Sequence, residues 1–94
     1  MTRARFVVSG RVQGVNFRAA AVREATAHGL TGRVWNTDDD AVELVAEGDA
    51  DGLASFERWL ARGPSLARVE RVVRTDLGGA DRYDDFSVAY GAPE

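Results

Sequence analysis

No cysteine occurs in these 94 residues. Disulfides, thiol nucleophiles and zinc–thiolate centres are therefore excluded. There is no excess of positive charge: 12 basic residues stand against 15 acidic ones, a net charge of −3. A general nucleic-acid-binding role gets no support from that balance. Long apolar runs are also missing. The N-terminus, Met1-Thr2-Arg3-Ala4-Arg5, is basic, but only Phe6-Val7-Val8 follows it. That is too short for a signal-peptide core, and nothing approaches a membrane span, so a cytoplasmic address is the default expectation. No repeat, linker or low-complexity segment is visible, and the length fits one domain over 1–94. The remaining composition, 45% hydrophobic and 29% charged, is that of a soluble globular protein. A chain this size buries roughly 60–65% of its unfolded surface, enough for one modest core.

One stretch organises the chain: Gly10-Arg11-Val12-Gln13-Gly14-Val15-Asn16-Phe17-Arg18. Before it, Phe6 and Val8 alternate with Arg5 and Ser9, the period of a strand. After it comes an alanine-rich run, Ala19 to Ala21 and then Ala25, the composition of a helix. A turn from strand into helix gathers free backbone N–H groups at the positive end of the helix dipole, which suits an anion. Gly14 allows a positive φ or a close backbone approach. Arg18 falls in the first helical turn, within reach of the same anion. A cation there opposes the dipole, a repulsion that a bound anion would offset.

Taken in order, strand one covers about Arg3 to Val12, with Ala4, Phe6, Val8 and Val12 on one face. Helix one runs from about Phe17 to His28 and is closed by Gly29. Strand two spans about Arg33 to Thr37, Asp38-Asp39-Asp40 turns, and strand three returns over about Ala41 to Glu47. Asp49 is placed to cap helix two, which presents Leu53, Phe56, Trp59 and Leu60 and ends near Arg62 at Gly63-Pro64. Strand four covers about Ala67 to Thr75 and a last short strand about Asp85 to Ala89. The tail Gly91-Ala92-Pro93-Glu94 is expected to be loose.

This order predicts an α+β, ferredoxin-like βαββαβ sandwich: an antiparallel sheet, two helices on one face, and a short extra C-terminal strand. The topology has a functional consequence. If strand one runs up, helix one runs down and strand two runs up again. The glycine turn and the end of strand two then share one sheet edge. Asn36 lies at that end, on the same face as Val34. A carboxamide beside an anion cradle needs polar partners, and a bound water is a candidate.

The segments Val12-Gln13-Gly14-Val15-Asn16-Phe17-Arg18, Gly29-Leu30-Thr31-Gly32-Arg33-Val34-Trp35-Asn36, Val42-Glu43 and Glu47-Gly48 together resemble the acylphosphatase family. The likeness runs in order from about Ala4 to Tyr90, and its two central motifs are specific. It implies a small hydrolase of carboxyl–phosphate bonds that uses no metal or cofactor. Arg18 matches the family's phosphate-binding arginine, Asn36 its water-orienting asparagine, and the backbone of Gln13, Gly14, Val15, Asn16 and Phe17 its phosphate loop. Neither motif holds a general base, and the resemblance implies that the substrate's own phosphate takes the proton.

The chain departs from the family pattern in three places. Asp39-Asp40 replaces the usual Asp-Gly of the hairpin turn, and Asp40 tolerates a positive φ better than most residues. Arg33 stands where an aromatic residue is common, and Trp35 where a basic one is. The pair shares a face, so the expectation is a swap on the exposed side of the sheet.

Other features have plainer readings. His28, the sole histidine, sits at a helix C-terminus favourable to its charge. Three adjacent aspartates at a hairpin tip read as a solvated turn in preference to a metal site. Two alternatives come from other classes. A non-catalytic module binding phosphate or carbamoyl phosphate would keep the loop; the absence of a flanking domain argues against it. A ferredoxin-like RNA-binding domain needs exposed aromatics and a basic sheet face. Here Glu43, Val45 and Glu47 make strand three's outer face acidic. The partner expected is thus a small acyl phosphate, with no nucleic acid and no membrane, and a chain without a long apolar edge is expected to be a monomer.

Overall fold

Among the described residues the elements follow the order β1 Thr2–Arg11, α1 Phe17–Ala27, β2 Thr31–Asn36, β3 Val42–Gly48, α2 Ala50–Leu60, β4 Arg68–Leu77 and β5 Phe86–Val88. The computed structural model describes residues 1–79 and 82–93; Ala80, Asp81 and Glu94, the last residue of the expected tail, lie outside them. The sheet order is β4-β1-β3-β2-β5. Every second strand residue enters one core: Ala4, Phe6 and Val8 from β1, Val34 from β2, Val42, Leu44 and Ala46 from β3, Phe86 from β5. Phe17, Ala21 and Ala25 of α1 and Leu53, Phe56 and Leu60 of α2 join the same cluster. Both helices therefore cover one face of the sheet. Phe56 sits at its centre, edge-on to Phe6 and Phe86 at 6.2 and 5.9 Å.

Helix ends follow local chemistry. Gly29, at φ 70°, closes α1 by donating to Thr26 O at 3.0 Å, while Leu30 N–H donates to Ala25 O at 2.9 Å. The α2 helix stops two residues before the expected end, and Gly63 N–H turns back onto Trp59 O at 2.7 Å. In contrast, β4 runs two residues further, because Leu77 pairs with Arg3 of β1.

The four strands of the βαββαβ core pair antiparallel, as expected, and the extra C-terminal strand adds at one edge. β5 lies parallel to β2, with Val34 opposite Val88. The reason is directional: β4 runs antiparallel to β1 at one edge, and the chain then crosses to the far edge, so β5 runs the same way as β2. The C-terminal ends of β1, β2 and β5 thus meet at one edge.

Trp35 also differs from expectation. It is only 3% exposed. Ala92 and Pro93 line a cleft with it on the outer face, so part of the expected loose tail runs along that face. An indole there gains from burial what an exposed cation would not.

The crossing segment is held by a fully buried carboxylate. Glu47 of β3 accepts from Arg3 Nε at 2.7 Å and from the backbone N–H groups of Arg82 and Tyr83 at 3.0 and 3.1 Å. Burial alone raises the Glu47 pKa, but the Arg3 hydrogen bond and the two amides outweigh it and hold the carboxyl below its ordinary value. A depressed folded-state pKa means stability that is present above the unfolded pKa and is lost as pH falls through the folded one. Glu47→Gln should therefore lower the unfolding free energy at pH 7 by about 3 kcal/mol, since Arg3 is left buried without its counter-charge. It should also flatten the acid limb of stability. Urea unfolding of both proteins across an acid pH series checks this; equal stability at pH 7 would count against the account.

Candidate active site

The loop between β1 and α1 has two left-handed residues, Gly14 at φ 74° and Asn16 at φ 67°. A Cβ on Gly14 would meet nothing within 4 Å, so the position demands the torsion and not the space. Asn16 is the N-cap of α1, yet its side chain makes no capping bond. Asparagine serves there because it enters the left-handed region at low cost. The alternation turns successive N–H groups into one concavity, a backbone nest for an anion. The first helical amide with a backbone acceptor is that of Ala20, on Asn16 O at 3.1 Å. Among the described residues the amides before it have no acceptor, which leaves them able to meet a ligand.

The first turn of α1 holds no acidic side chain, and Arg18 stands in it, half-buried. Its guanidinium carbon lies 5.9 Å from the centre of the Tyr90 ring. Asn36 ends β2 at the same sheet edge. Its Oδ1 is buried and has no hydrogen-bond partner among the described residues. A buried acceptor in that state costs about 1–3 kcal/mol, so it marks a place where a donor is meant to come.

Gln13 joins the two halves. Its Nε2 donates to Thr37 O at 3.0 Å and to Ala41 O at 2.8 Å, tying the loop to the hairpin that carries Asn36. That hairpin is closed by Thr37, whose N–H donates to Ala41 O at 2.9 Å and whose hydroxyl accepts from Ala41 N–H at 3.0 Å and donates to Asp39. Asp40 takes φ 70°, the left-handed torsion expected where glycine is absent.

These parts enclose a cleft of about 190 Å³. Gly14, Asn16, Phe17, Arg18 and Asn36, all expected at the site, line it together. Two other expected residues do not. Gln13 instead turns its side chain to the hairpin, and Val15 packs against the core and lines a separate cleft with Arg11 and Arg68. Val12 and Ala19 also line the shared cleft, and two unexpected residues from the last part of the chain, Val88 at the end of β5 and Tyr90 two residues beyond it, complete the wall. A signal for them existed: Phe86, Val88 and Tyr90 continue the period-two alternation of the last strand. His28 lies at the far end of α1, 3.1 Å from Glu24. Among the described residues no three His, Cys, Asp or Glu side chains gather as a metal site, the hairpin aspartates included. Among the described residues, no helix is long and apolar enough to cross a membrane.

The arrangement defines a small ferredoxin-like α+β protein with a loop suited to an anion and a buried carboxamide oxygen at one sheet edge. Comparison with known proteins gives it a family. The acylphosphatase family model matches residues 4–88. An acylphosphatase of Methylococcus capsulatus is 46% identical over 88 residues, covering 94% of this chain and 96% of its own. One of Mannheimia succiniciproducens is 44% identical over 90 residues, covering 96% and 100%. The crystal structure of acylphosphatase from Bacillus subtilis matches with a TM-score of 0.92 and 37% identity over 96% of this chain and all of that one. The chain belongs to the acylphosphatase family.

Proposed function

We propose that this cleft hydrolyses the carboxyl–phosphate bond of acyl phosphates, giving a carboxylate and inorganic phosphate. The observation that carries the reading is the unpartnered, buried Oδ1 of Asn36 sharing one small cleft with Arg18 and the free loop amides. The cradle holds the three phosphoryl oxygens, and Arg18 with the amides stabilises the charge that gathers on them in the transition state. A water donates one O–H to Asn36 Oδ1, which turns an oxygen lone pair toward phosphorus. The water oxygen bonds to phosphorus and the bond from phosphorus to the acyl oxygen breaks. Its electron pair stays on the carboxylate. One water proton remains on the new P–O bond and the other passes to a phosphate oxygen. A dianionic acyl phosphate thus becomes a carboxylate and dihydrogen phosphate. A carboxylate leaves readily, so positioning and electrostatics carry the rate; orientation alone is worth roughly 7–11 kcal/mol of barrier.

The protein acts as a cytoplasmic monomer in this reading, one domain over 1–94, with every group of the cleft supplied by one chain. The test is release of phosphate from benzoyl phosphate in the presence of excess EDTA. Turnover that survives chelation supports hydrolysis without a metal. Tight phosphate binding with no turnover of benzoyl or carbamoyl phosphate would replace this reading with that of a binding module.

A further inference from the structure

The cleft is too small for a whole acyl phosphate with a bulky acyl group. At about 190 Å³ it falls well below the roughly 300 Å³ at which sites for larger ligands begin. Once the phosphoryl group fills the cradle, the acyl group has to lie across the rim. Few lining residues offer it apolar surface. Val12 and Phe17 are only 1% and 2% exposed, Gly14 has no side chain, and Asn16, Arg18 and Asn36 are polar. Ala19 carries a single methyl and Val88 is half-buried. Tyr90 is the exception: it lines the cleft and is 94% exposed. Its ring also borders Arg18, the group nearest the phosphoryl oxygens in the proposed function.

We infer that Tyr90 is the acyl-group contact of this site and gives it a preference for acyl phosphates with a planar aromatic acyl group over small aliphatic ones. This rests on the reaction proposed above. An aromatic acyl group stacks on or against the phenol ring in a way that an acetyl group cannot, having neither the area nor the π-face. The placement follows from the parallel β5–β2 pairing, which brings the end of β5 to the edge where the phosphate loop and Asn36 meet. The phenol hydroxyl is not needed for stacking, so phenylalanine should serve equally.

The experiment compares kcat/KM for benzoyl phosphate and acetyl phosphate in the wild type, Tyr90→Ala and Tyr90→Phe. Because the Tyr90 ring centre lies 5.9 Å from the Arg18 guanidinium carbon, its loss can weaken both substrates, but that effect cancels in the ratio of the two. The expected result is a benzoyl-to-acetyl ratio lowered about three- to tenfold in Tyr90→Ala and kept in Tyr90→Phe. A ratio unchanged in Tyr90→Ala, even with both activities reduced, overturns the inference and leaves Tyr90 as a support for Arg18 alone. A wild type that turns over neither substrate overturns the hydrolase reading itself and this inference with it. Since the ring is exposed, removing it takes nothing from the core, and the inhibition constant of inorganic phosphate checks that the cradle persists.

Discussion

Arg18→Ala is expected to lower kcat for benzoyl phosphate by about 10³–10⁵, the range seen when a transition-state arginine is removed from a phosphoryl-transfer site. The size follows from placement. Arg18 sits half-buried in the first turn of α1, beside the loop amides proposed to hold the same anion. There the guanidinium works in a medium that screens it less than bulk water does. Its planar fork also matches two phosphoryl oxygens at once, so Arg18→Lys should recover only part of the loss. A second readout separates chemistry from folding. In the empty protein Arg18 opposes its own helix dipole, and bound phosphate removes that opposition. Phosphate at about 100 times its dissociation constant should stabilise the wild type by about 2.7 kcal/mol, or about 14 °C in Tm for a domain of this size. The shift should nearly vanish in Arg18→Ala. Full turnover in the variant, or a wild-type Tm indifferent to phosphate, would remove Arg18 from the site.

Asn36→Ala should lower kcat by about 10²–10³, the effect of losing one well-placed polar group around a reacting centre, and leave phosphate inhibition nearly unchanged. The split between turnover and binding distinguishes a group that orients water from one that holds phosphate. Stability should not follow activity down. The Oδ1 of Asn36 has no protein partner among the described residues, so deleting it breaks no hydrogen bond within the protein and only the lost packing counts against the variant. Asn36→Ala is therefore expected to be about as stable as the wild type. Such a pairing of lost activity with retained stability is expected at a position kept for chemistry. A variant with full kcat, or one that is inactive because it unfolds, would contradict the assignment.

Much of this site is readable from residue order. Gly14 and Arg18 declare themselves by type and position at a strand-to-helix turn, and strand parity puts Asn36 on the face of Val34. Asn16 is different: it is placed in the loop by sequence, while its role there is a backbone torsion that local order does not announce. Gln13 belongs to the loop by sequence, while its amide binds carbonyls more than twenty residues away, a contact set by how the hairpin docks. Trp35 is buried because the chain beyond β5 runs back along the outer face, and local alternation carries no information about that covering.

Local order and spacing therefore fix the elements, the core faces and the two principal residues of the proposed site, because period-two and helical periodicities are properties of neighbouring residues. The parallel direction of β5, the arrival of Tyr90 beside Arg18 and the burial of Glu47 under the crossing segment are long-range facts. They depend on which edge strand the chain reaches after β4, and that choice is settled by the packing of the whole sheet against its helices.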